Sequence, residues 1–179
     1  MIRPPRFSYW EVYLDGYCYI LCADGYAEEA VQVAEMALAG KGLPTAFLGL
    51  KAGWIRGGAG GLVSAEVLIS QVKGEGGTRP LPDALLLAGG TVCGQYMLAD
   101  PRVHILVQNM LAAARPVGLL GPVCYQLFDL LAKRAGGSPF LRQESQTTAS
   151  FVDTFVRCFH ETGQARQSPS RRRLALHEE

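Results

Sequence analysis

Short segments composed almost entirely of apolar residues alternate with longer segments of helical periodicity through most of the chain. The apolar segments are residues 17–23 (YCYILCA), 44–50 (PTAFLGL), 83–88 (DALLLA) and 117–123 (VGLLGPV). Strands that are apolar at nearly every position are buried on both faces, as in a parallel sheet covered by helices. The alternation therefore predicts an α/β fold, in which a doubly wound, mostly parallel sheet lies between two layers of helices.

Four segments carry the apolar stripe of an amphipathic helix. They span about residues 27–39, 101–114, 125–135 and 150–162. The second has the clearest start, because Asp100 is a good N-cap residue and Pro101 occupies the first helical position. Residues 51–72, which include GGAGG, predict a loop and a hairpin, and a short extended piece is expected around Phe140.

Length and composition fit a single sizeable domain. The sequence has 179 residues, of which 49% are apolar and 18% are charged, so it can bury a substantial core. We expect an N-terminal extension over 1–16, an α/β domain over 17–162 and a flexible basic tail over 163–179. The tail holds four arginines, three of them consecutive at 171–173, and little that is apolar. A tether to nucleic acid or a membrane is the alternative interpretation of this tail.

The balance of charges argues against an electrostatic partner for the domain as a whole. The net charge is +1, from 17 Lys and Arg against 16 Asp and Glu, which gives no general attraction to nucleic acid or anionic membranes. No run approaches the roughly 20 apolar residues of a membrane-spanning helix, and the first residues lack the pattern of a secretory signal. We therefore expect a soluble, cytoplasmic protein that binds neither nucleic acid nor membrane.

The cysteines are odd in number and scattered among apolar neighbours, which favours reduced thiols over a disulfide framework. They are Cys18, Cys22, Cys93, Cys124 and Cys158. None is spaced with a histidine as zinc ligands are, so no metal site is expected. The turn after the first strand has a single glycine and no GxGxxG pattern, which argues against a dinucleotide, and no cofactor is predicted.

Ligands of a doubly wound sheet bind beyond the carboxyl ends of its strands. Three such ends carry candidates: Asp24 for ligand binding, Gly89 and Gly90 as amide donors to an oxyanion, and Cys124 as a reactive thiol. The cysteine lies between a strand and the start of a helix, where the helix dipole favours the thiolate. Each feature has a structural alternative, because the glycines also suit a tight turn and a free cysteine is often a small buried apolar residue.

Three segments together carry a family resemblance. They are residues 19–50 (YILCADGY…), 82–132 (PDALLLAGG…GPVCYQ…) and 146–159 (QTTASFVDTFVRCF). In the middle segment a strand ends in Gly-Gly, a capped helix follows, and another strand runs into a cysteine at a strand-to-helix elbow. This arrangement resembles the DJ-1/PfpI family of the class I glutamine amidotransferase-like superfamily.

The resemblance implies a flavodoxin-like sandwich, commonly dimeric. It also implies that Cys124 occupies the nucleophile position and that Gly89 or Gly90 supplies an oxyanion amide. Family members include glyoxalase-type and deglycase enzymes, amidase or peptidase relatives, chaperones and oxidation-sensing proteins. The fold alone therefore does not fix the function.

The usual partners of such a cysteine are largely missing from the sequence. The glutamate that family members commonly place near the thiol falls here on Ala30 or Val31. Glu28 or Glu29 could replace it if the loop is remodelled, although their positions in the first helical turn also suit the helix dipole. Tyr125 follows the cysteine where many relatives have histidine.

The elbow itself also departs from the family pattern. Gln126 stands where a small glycine is usual, and Pro122 removes a backbone donor from a central strand, so that strand could end early, around Gly121. Tyr125 or Gln126 could cover the thiol or bind a polar group of a ligand, and burial at a subunit contact is an equal alternative. None of the histidines is placed to assist; they are His104, His160 and His177.

These observations predict a DJ-1/PfpI-like protein with an elbow cysteine but incomplete catalytic partners. It would act by small-molecule binding, assembly or thiol redox sensing. The alternative is an active cysteine-dependent hydrolase, glyoxalase or deglycase that acts on a small carbonyl or amide substrate. We expect a homodimer or higher homo-oligomer, with a small molecule as the other partner.

Overall fold

The computed structural model describes residues 17–72, 77–121, 129, 133 and 140–174, with side chains as far as residue 163. The strands with bounds in this part of the chain are β1 (Cys18–Cys22), β2 (Thr45–Gly49), β3 (Trp54–Arg56), β4 (Leu62–Ser64), β5 (Val67–Leu68), β6 (Ala84–Leu87), β7 (Val117–Leu119) and β8 (Phe140–Arg142). The helices are α1 (Glu28–Gly40), α2 (Thr91–Ala99), α3 (Pro101–Ala112) and α4 (Thr148–Leu174). A 3₁₀ turn, Ile69–Gln71, follows β5.

Six of these strands form one parallel sheet in the order β5-β2-β1-β6-β7-β8. β1 pairs in parallel with β2 on one side and with β6 on the other. The sheet grows in both directions from β1, which is the doubly wound arrangement. β3 and β4 form a separate antiparallel hairpin. The predicted flavodoxin-like α/β fold is thereby confirmed.

The central strands are buried along their whole length, as their apolar sequences require. All residues of β1 and β6 are buried. On one face α4 packs its Phe151 and Phe155 rings against Gly118 of β7, where an added Cβ would lie 3.1 and 3.0 Å from them. α1 lies beside α4. α3 packs against β7 and the 3₁₀ turn and covers the other face, which completes the three layers.

Most of the predicted elements lie close to their expected places. Asp100 caps α3 through its Oδ1, which accepts a hydrogen bond from the Arg102 N–H at 2.9 Å, and Pro101 begins the helix. Within the segment 51–72, β3 and β4 form the predicted hairpin, whereas β5, the edge strand that pairs in parallel with β2, was not predicted. The extended piece expected around Phe140 is β8, the edge strand beside β7.

The helix α2 was not predicted, because its sequence TVCGQYMLA gives no periodic signal. Apolar residues occupy both sides of it: Cys93 and Met97 are buried, whereas Val92 and Tyr96 are exposed. Gly94 lies in its interior, where glycine lowers helix propensity. Tertiary burial of Cys93, Gly94 and Met97 stabilises this helix, and its own sequence gives no signal of it.

Two elements end elsewhere than their predicted ranges. The fourth strand, predicted over 117–123 with an early end around Gly121 as the alternative, stops as β7 at Leu119, and Gly121 beyond it adopts a φ of +68° that is incompatible with a strand, so the early end is confirmed. The last helix runs to Leu174 and not to about residue 162, so it includes most of the segment assigned to the tail. Helix propensity does not explain this extension, because Gly163 and Pro169 lie within it and both disfavour a helix interior.

Some predictions fall outside the described residues. These are the N-terminal extension 1–16, the end of the predicted tail at 175–179, and most of the helix predicted over 125–135. Within that helix Asp129 and Lys133 are described, and both are helical. None of the described helices is long and apolar enough to cross a membrane.

Candidate functional site

The carboxyl ends of β1, β2, β6 and β7 lie at one edge of the sheet and carry two regions of different character. The first, which we call the glycine elbow, is defined by Gly25, Gly89, Gly90 and Gly121. The second, the charged cleft, is defined by Asp24, Lys51, Tyr96, Asp100 and Arg102. The loop from β1 to α1 takes part in both regions, because Asp24 belongs to the cleft and the next residue belongs to the elbow.

The glycine elbow is held together by close approaches between backbones. A Cβ on Gly89 would collide with the carbonyl oxygen of Leu120, and a Cβ on Gly90 would collide with that of Gly25. Gly90 also has a φ of +112°, which favours glycine. The Ala27 N–H donates to the Gly89 carbonyl oxygen at 2.8 Å and so fixes the start of α1 against the end of β6.

The predicted oxyanion donors are the backbone amide groups of Gly89 and Gly90, which lie in the glycine elbow. The N–H groups of Gly89 and Gly90 donate to no acceptor within the described part of the chain. The tight packing expected of a structural glycine pair is present as well. The geometry of Gly89 and Gly90 is therefore compatible with an oxyanion site and also with a purely structural tight turn.

α1 turns methyl groups towards the elbow at the place where the family resemblance implies a glutamate. The Cβ atoms of Ala27 and Ala30 each lie 3.7 Å from the point that a Cβ on Gly121 would occupy. Val31, the other position considered, is buried in the core. Ala30 is therefore the residue that faces the elbow, and its methyl group can neither accept nor transfer a proton.

Glu28 is engaged elsewhere. Its Oε1 accepts hydrogen bonds from the backbone N–H groups of Ala59 at 2.8 Å and Gly61 at 2.9 Å, in the loop that joins β3 to β4. The carboxylate occupies the space that a side chain on Gly57 would need. Glu29, by contrast, is exposed. Glu28 thus anchors the hairpin loop to α1, a role that its place in the first helical turn did not reveal.

Cys124, Tyr125 and Gln126 lie outside the described residues, so their roles stay predictions. The described cysteines are Cys18, Cys22, Cys93 and Cys158, the first three buried and the last half-buried. Burial raises the pKa of each thiol, that of Cys93 to about 12. Such thiols are protonated at neutral pH and are poor nucleophiles.

The charged cleft is a cavity of about 550 Å³ at the ends of β1 and β2, next to the junction of α2 and α3. Its remaining lining is apolar and consists of Cys22, Ala23, Leu50, Ile55, Ala99 and Pro101. Small-molecule sites typically have this size and this mixture of apolar walls with a few polar groups.

The first ion pair of the cleft joins two strand ends. Lys51 Nζ lies 2.7 Å from Asp24 Oδ2, and Asp24 Oδ1 accepts a hydrogen bond from the Arg56 N–H at 3.0 Å. The hydrogen bond with Lys51 is the main cause that lowers the pKa of Asp24, and it raises the pKa of Lys51 in turn. Asp24 therefore ties the end of β1 to the hairpin as well as to Lys51.

The second ion pair lies at the start of α3. Arg102 Nη2 lies 2.6 Å from Asp100 Oδ2 and also donates to the Leu50 carbonyl oxygen at 3.1 Å. Arg102 Nε donates to Asp100 Oδ1 at 3.0 Å. The hydrogen bonds from Arg102 lower the pKa of Asp100 below its ordinary value. The helix cap is thus also a wall of the cleft.

Only Asp24 of the charged cleft was among the sequence candidates. Lys51 directly follows the predicted strand 44–50, so the rule that ligands gather at carboxyl ends could have identified it. Asp100 was interpreted only as an N-cap. Tyr96 and Arg102 enter the cleft through α2 and its junction with α3, and α2 was not predicted.

A metal centre is not among the described features. No group of three or more His, Cys, Asp or Glu side chains that could hold a metal ion occurs in the described residues. His104 is half-buried, and its Nε2 lies 2.9 Å from the Leu98 carbonyl oxygen, a contact between α3 and α2. This contact gives the histidine a structural role.

Comparison with known proteins finds relatives in structure and none in sequence. No protein-family model matches the chain, and no curated protein matches it. A ThiJ/PfpI domain protein from Brachyspira murdochii superposes with a TM-score of 0.62 at 14% identity, over 81% of this chain and 96% of that one. Drosophila melanogaster DJ-1beta gives a TM-score of 0.62 at 12% identity, over 85% and 97%.

A third match is partial. Oxidized Toxoplasma gondii DJ-1 superposes with a TM-score of 0.52 at 17% identity, over 59% of this chain and 55% of that one. This chain therefore spans about half the length of the Toxoplasma protein. At these identities the similarity establishes the fold, which is that of DJ-1/ThiJ/PfpI proteins, as the resemblance in sequence predicted.

Proposed function

We propose that the chain is a DJ-1/PfpI-type protein that binds a small molecule in the charged cleft and does not carry out cysteine-dependent catalysis. The observation that carries this proposal is the cleft itself. It combines about 550 Å³ of space with apolar walls and two ion pairs at the carboxyl edge of a doubly wound sheet. That edge is where open α/β sheets bind their ligands.

The elbow supports the second half of the proposal. Nucleophilic catalysis needs a thiolate, a proton-transfer partner and an oxyanion site in mutual register. The face of α1 next to Gly121 presents the methyl groups of Ala27 and Ala30, and the nearby carboxylate of Glu28 is bonded to the hairpin loop. A proton-transfer partner is therefore missing from the described side of the elbow.

The binding function is tested by titrating the full-length, ¹⁵N-labelled protein with a diverse fragment library and following its amide resonances. We expect saturable hits to shift the amide resonances of residues 22–24, 50–51, 96–100 and 102 together. A library that yields hits only at other surfaces, or none at all, would contradict the proposal.

An active cysteine enzyme is the second candidate, and it is favoured by the amides of Gly89 and Gly90, which donate to no acceptor among the described residues. Consumption of methylglyoxal by the wild type and by Cys124→Ser separates the two candidates, with Cys158→Ser as the control for loss of a thiol. We expect equal, background rates in all three proteins. A rate that is lost only in Cys124→Ser would establish the enzyme.

We propose in addition that the protein forms a homodimer or higher homo-oligomer and is located in the cytoplasm. Trp54 and Leu62 support assembly, because both are exposed and lie on the same face of the hairpin, where Trp54 pairs with Ser64 and Arg56 pairs with Leu62. Sedimentation velocity at micromolar concentration tests it. We expect a dimer or larger species that Trp54→Ser weakens, and a monomeric wild type would contradict this part.

A further inference from the structure

We infer that the ligand of the charged cleft is a small monocarboxylate with an apolar or aromatic body. Its carboxylate would bind Lys51 and Arg102, and its body would pack against Tyr96. This inference rests on the proposed function, because it names the chemical class of the ligand for the same cleft.

The cleft offers spare hydrogen-bond donors on its two cations. An ammonium group has three N–H donors and a guanidinium has five. Among the described residues, Lys51 Nζ bonds to Asp24, and Arg102 uses its Nε and Nη2 on Asp100 and Leu50. Two donors of Lys51 and the Nη1 group of Arg102 therefore have no described acceptor, and an acceptor-rich ligand group fits them.

The carboxylates of the cleft are less available than its cations. The side chain of Asp100 is 14% exposed and that of Asp24 34%, whereas Arg102 is 44% and Lys51 64% exposed. Every carboxylate oxygen of the two aspartates already accepts at least one hydrogen bond. A ligand that enters the cleft consequently meets N–H donors before it meets acceptors.

The charge of the site limits the ligand to one negative group. The two aspartates and the two cations sum to zero, so a single carboxylate gains two donors without a large excess of charge. A phosphate dianion would bring a second negative charge close to Asp24 and Asp100, which costs electrostatic energy. The Nη1 group of Arg102 can add a charge-assisted hydrogen bond to one oxygen of that carboxylate.

The rest of the cleft suits an apolar body. Leu50, Ile55 and Pro101 supply apolar walls. Tyr96 lines the same space and is half exposed on α2, so a bound ligand can cover the exposed surface of its ring. Burial of apolar surface on the ligand and on the protein then adds affinity that a carboxylate without an apolar body lacks.

The probes for this inference are 3-phenylpropionate, its alcohol 3-phenylpropan-1-ol, acetate and 2-phenylethyl phosphate. Each is titrated at pH 7 into the full-length, ¹⁵N-labelled protein. We expect saturable shifts at the cleft with 3-phenylpropionate. The alcohol and acetate should each bind about tenfold more weakly, since each lacks one of the two contacts, and the phosphate should bind more weakly than the carboxylate.

The matched variants are Lys51→Gln and Lys41→Gln. Lys41 forms the same kind of ion pair, with Asp153 at 2.7 Å, but lies away from the cleft at the end of α1. We expect Lys51→Gln to weaken 3-phenylpropionate about tenfold and Lys41→Gln to leave its affinity unchanged. Tyr96→Ala, on an exposed helix face, should weaken 3-phenylpropionate but not acetate.

The possible failures are distinguishable. If library fragments shift the cleft resonances while the alcohol or the phosphate binds as tightly as 3-phenylpropionate, the ligand class is wrong and the proposed function stands. The same holds if 3-phenylpropionate binds equally to wild type and Lys51→Gln. If neither the probes nor the library shift the cleft, the proposed function fails with the inference.

Discussion

The glycine elbow and the charged cleft lie on either side of one loop, yet they are built in opposite ways. At the elbow the glycines have no side chains, which allows backbones to approach closely. Gly89 and Gly90 pack against carbonyl oxygens, and α1 contributes only methyl groups to this region. In the cleft, side chains from four separate segments converge and form two ion pairs. On our proposal the elbow provides architecture, whereas the cleft provides the chemical groups that a ligand can recognise.

A side chain placed in the elbow should have the largest effect on stability. Gly90→Ala should lower the free energy of unfolding by about 3 kcal/mol, because it adds a Cβ at a positive φ and against the carbonyl oxygen of Gly25. Gly40→Ala is the matched control, since an added Cβ there meets nothing within 4 Å. Urea unfolding measures both, and a loss below about 1 kcal/mol for Gly90→Ala would show that the elbow tolerates side chains.

Glu28 was a candidate acid for the elbow, but in the structure it is bonded to the hairpin loop. Glu28→Ala should cost about 1–2 kcal/mol of unfolding free energy through the loss of two charge-assisted hydrogen bonds. Glu29→Ala is the control, because Glu29 lies in the same first turn of α1 and its loss has the same effect on the helix dipole. We expect this substitution to change the unfolding free energy by no more than about 0.5 kcal/mol. Equal effects of the two substitutions in urea unfolding would remove the anchoring role.

Asp100 tests whether the acidic half of the cleft is structural. Its pKa is lowered in the folded state, so its contribution to stability is present above the pKa of the unfolded chain, near 3.9, and is lost as the pH falls through the lower folded value. Asp100→Asn should cost about 1 kcal/mol at pH 7 and less at pH 3. Unfolding free energies at the two pH values measure this, and a cost that does not shrink in acid would contradict it.

The parallel sheet could be predicted from the sequence because each central strand is a continuous apolar run with no polar face. This signal lies within the residues of the strand itself. α3 could be predicted for a similar reason, since Asp100 and Pro101 mark its start within two residues. α2 could not, because Gly94 and an all-round apolar composition hide its period. It is tertiary contact that makes this segment helical.

The candidate site was less accessible to sequence reasoning. The elbow glycines follow a strand directly, and their position could be predicted. The charged cleft depends on distances between segments far apart in the chain: Asp24 and Lys51 end neighbouring strands, and Arg102 reaches the Leu50 carbonyl oxygen across the α2–α3 junction. The role of Glu28 depends likewise on where the hairpin folds back. A single sequence does not encode these contacts in any local pattern.

The most direct test of the division between elbow and cleft is the affinity of 3-phenylpropionate for two variants of the full-length protein, measured by amide chemical shifts at pH 7. Our account predicts that Cys124→Ser binds this probe as tightly as the wild type, whereas Lys51→Gln binds it about tenfold more weakly. Loss of binding in Cys124→Ser together with unchanged binding in Lys51→Gln would place ligand recognition at the elbow and contradict the account.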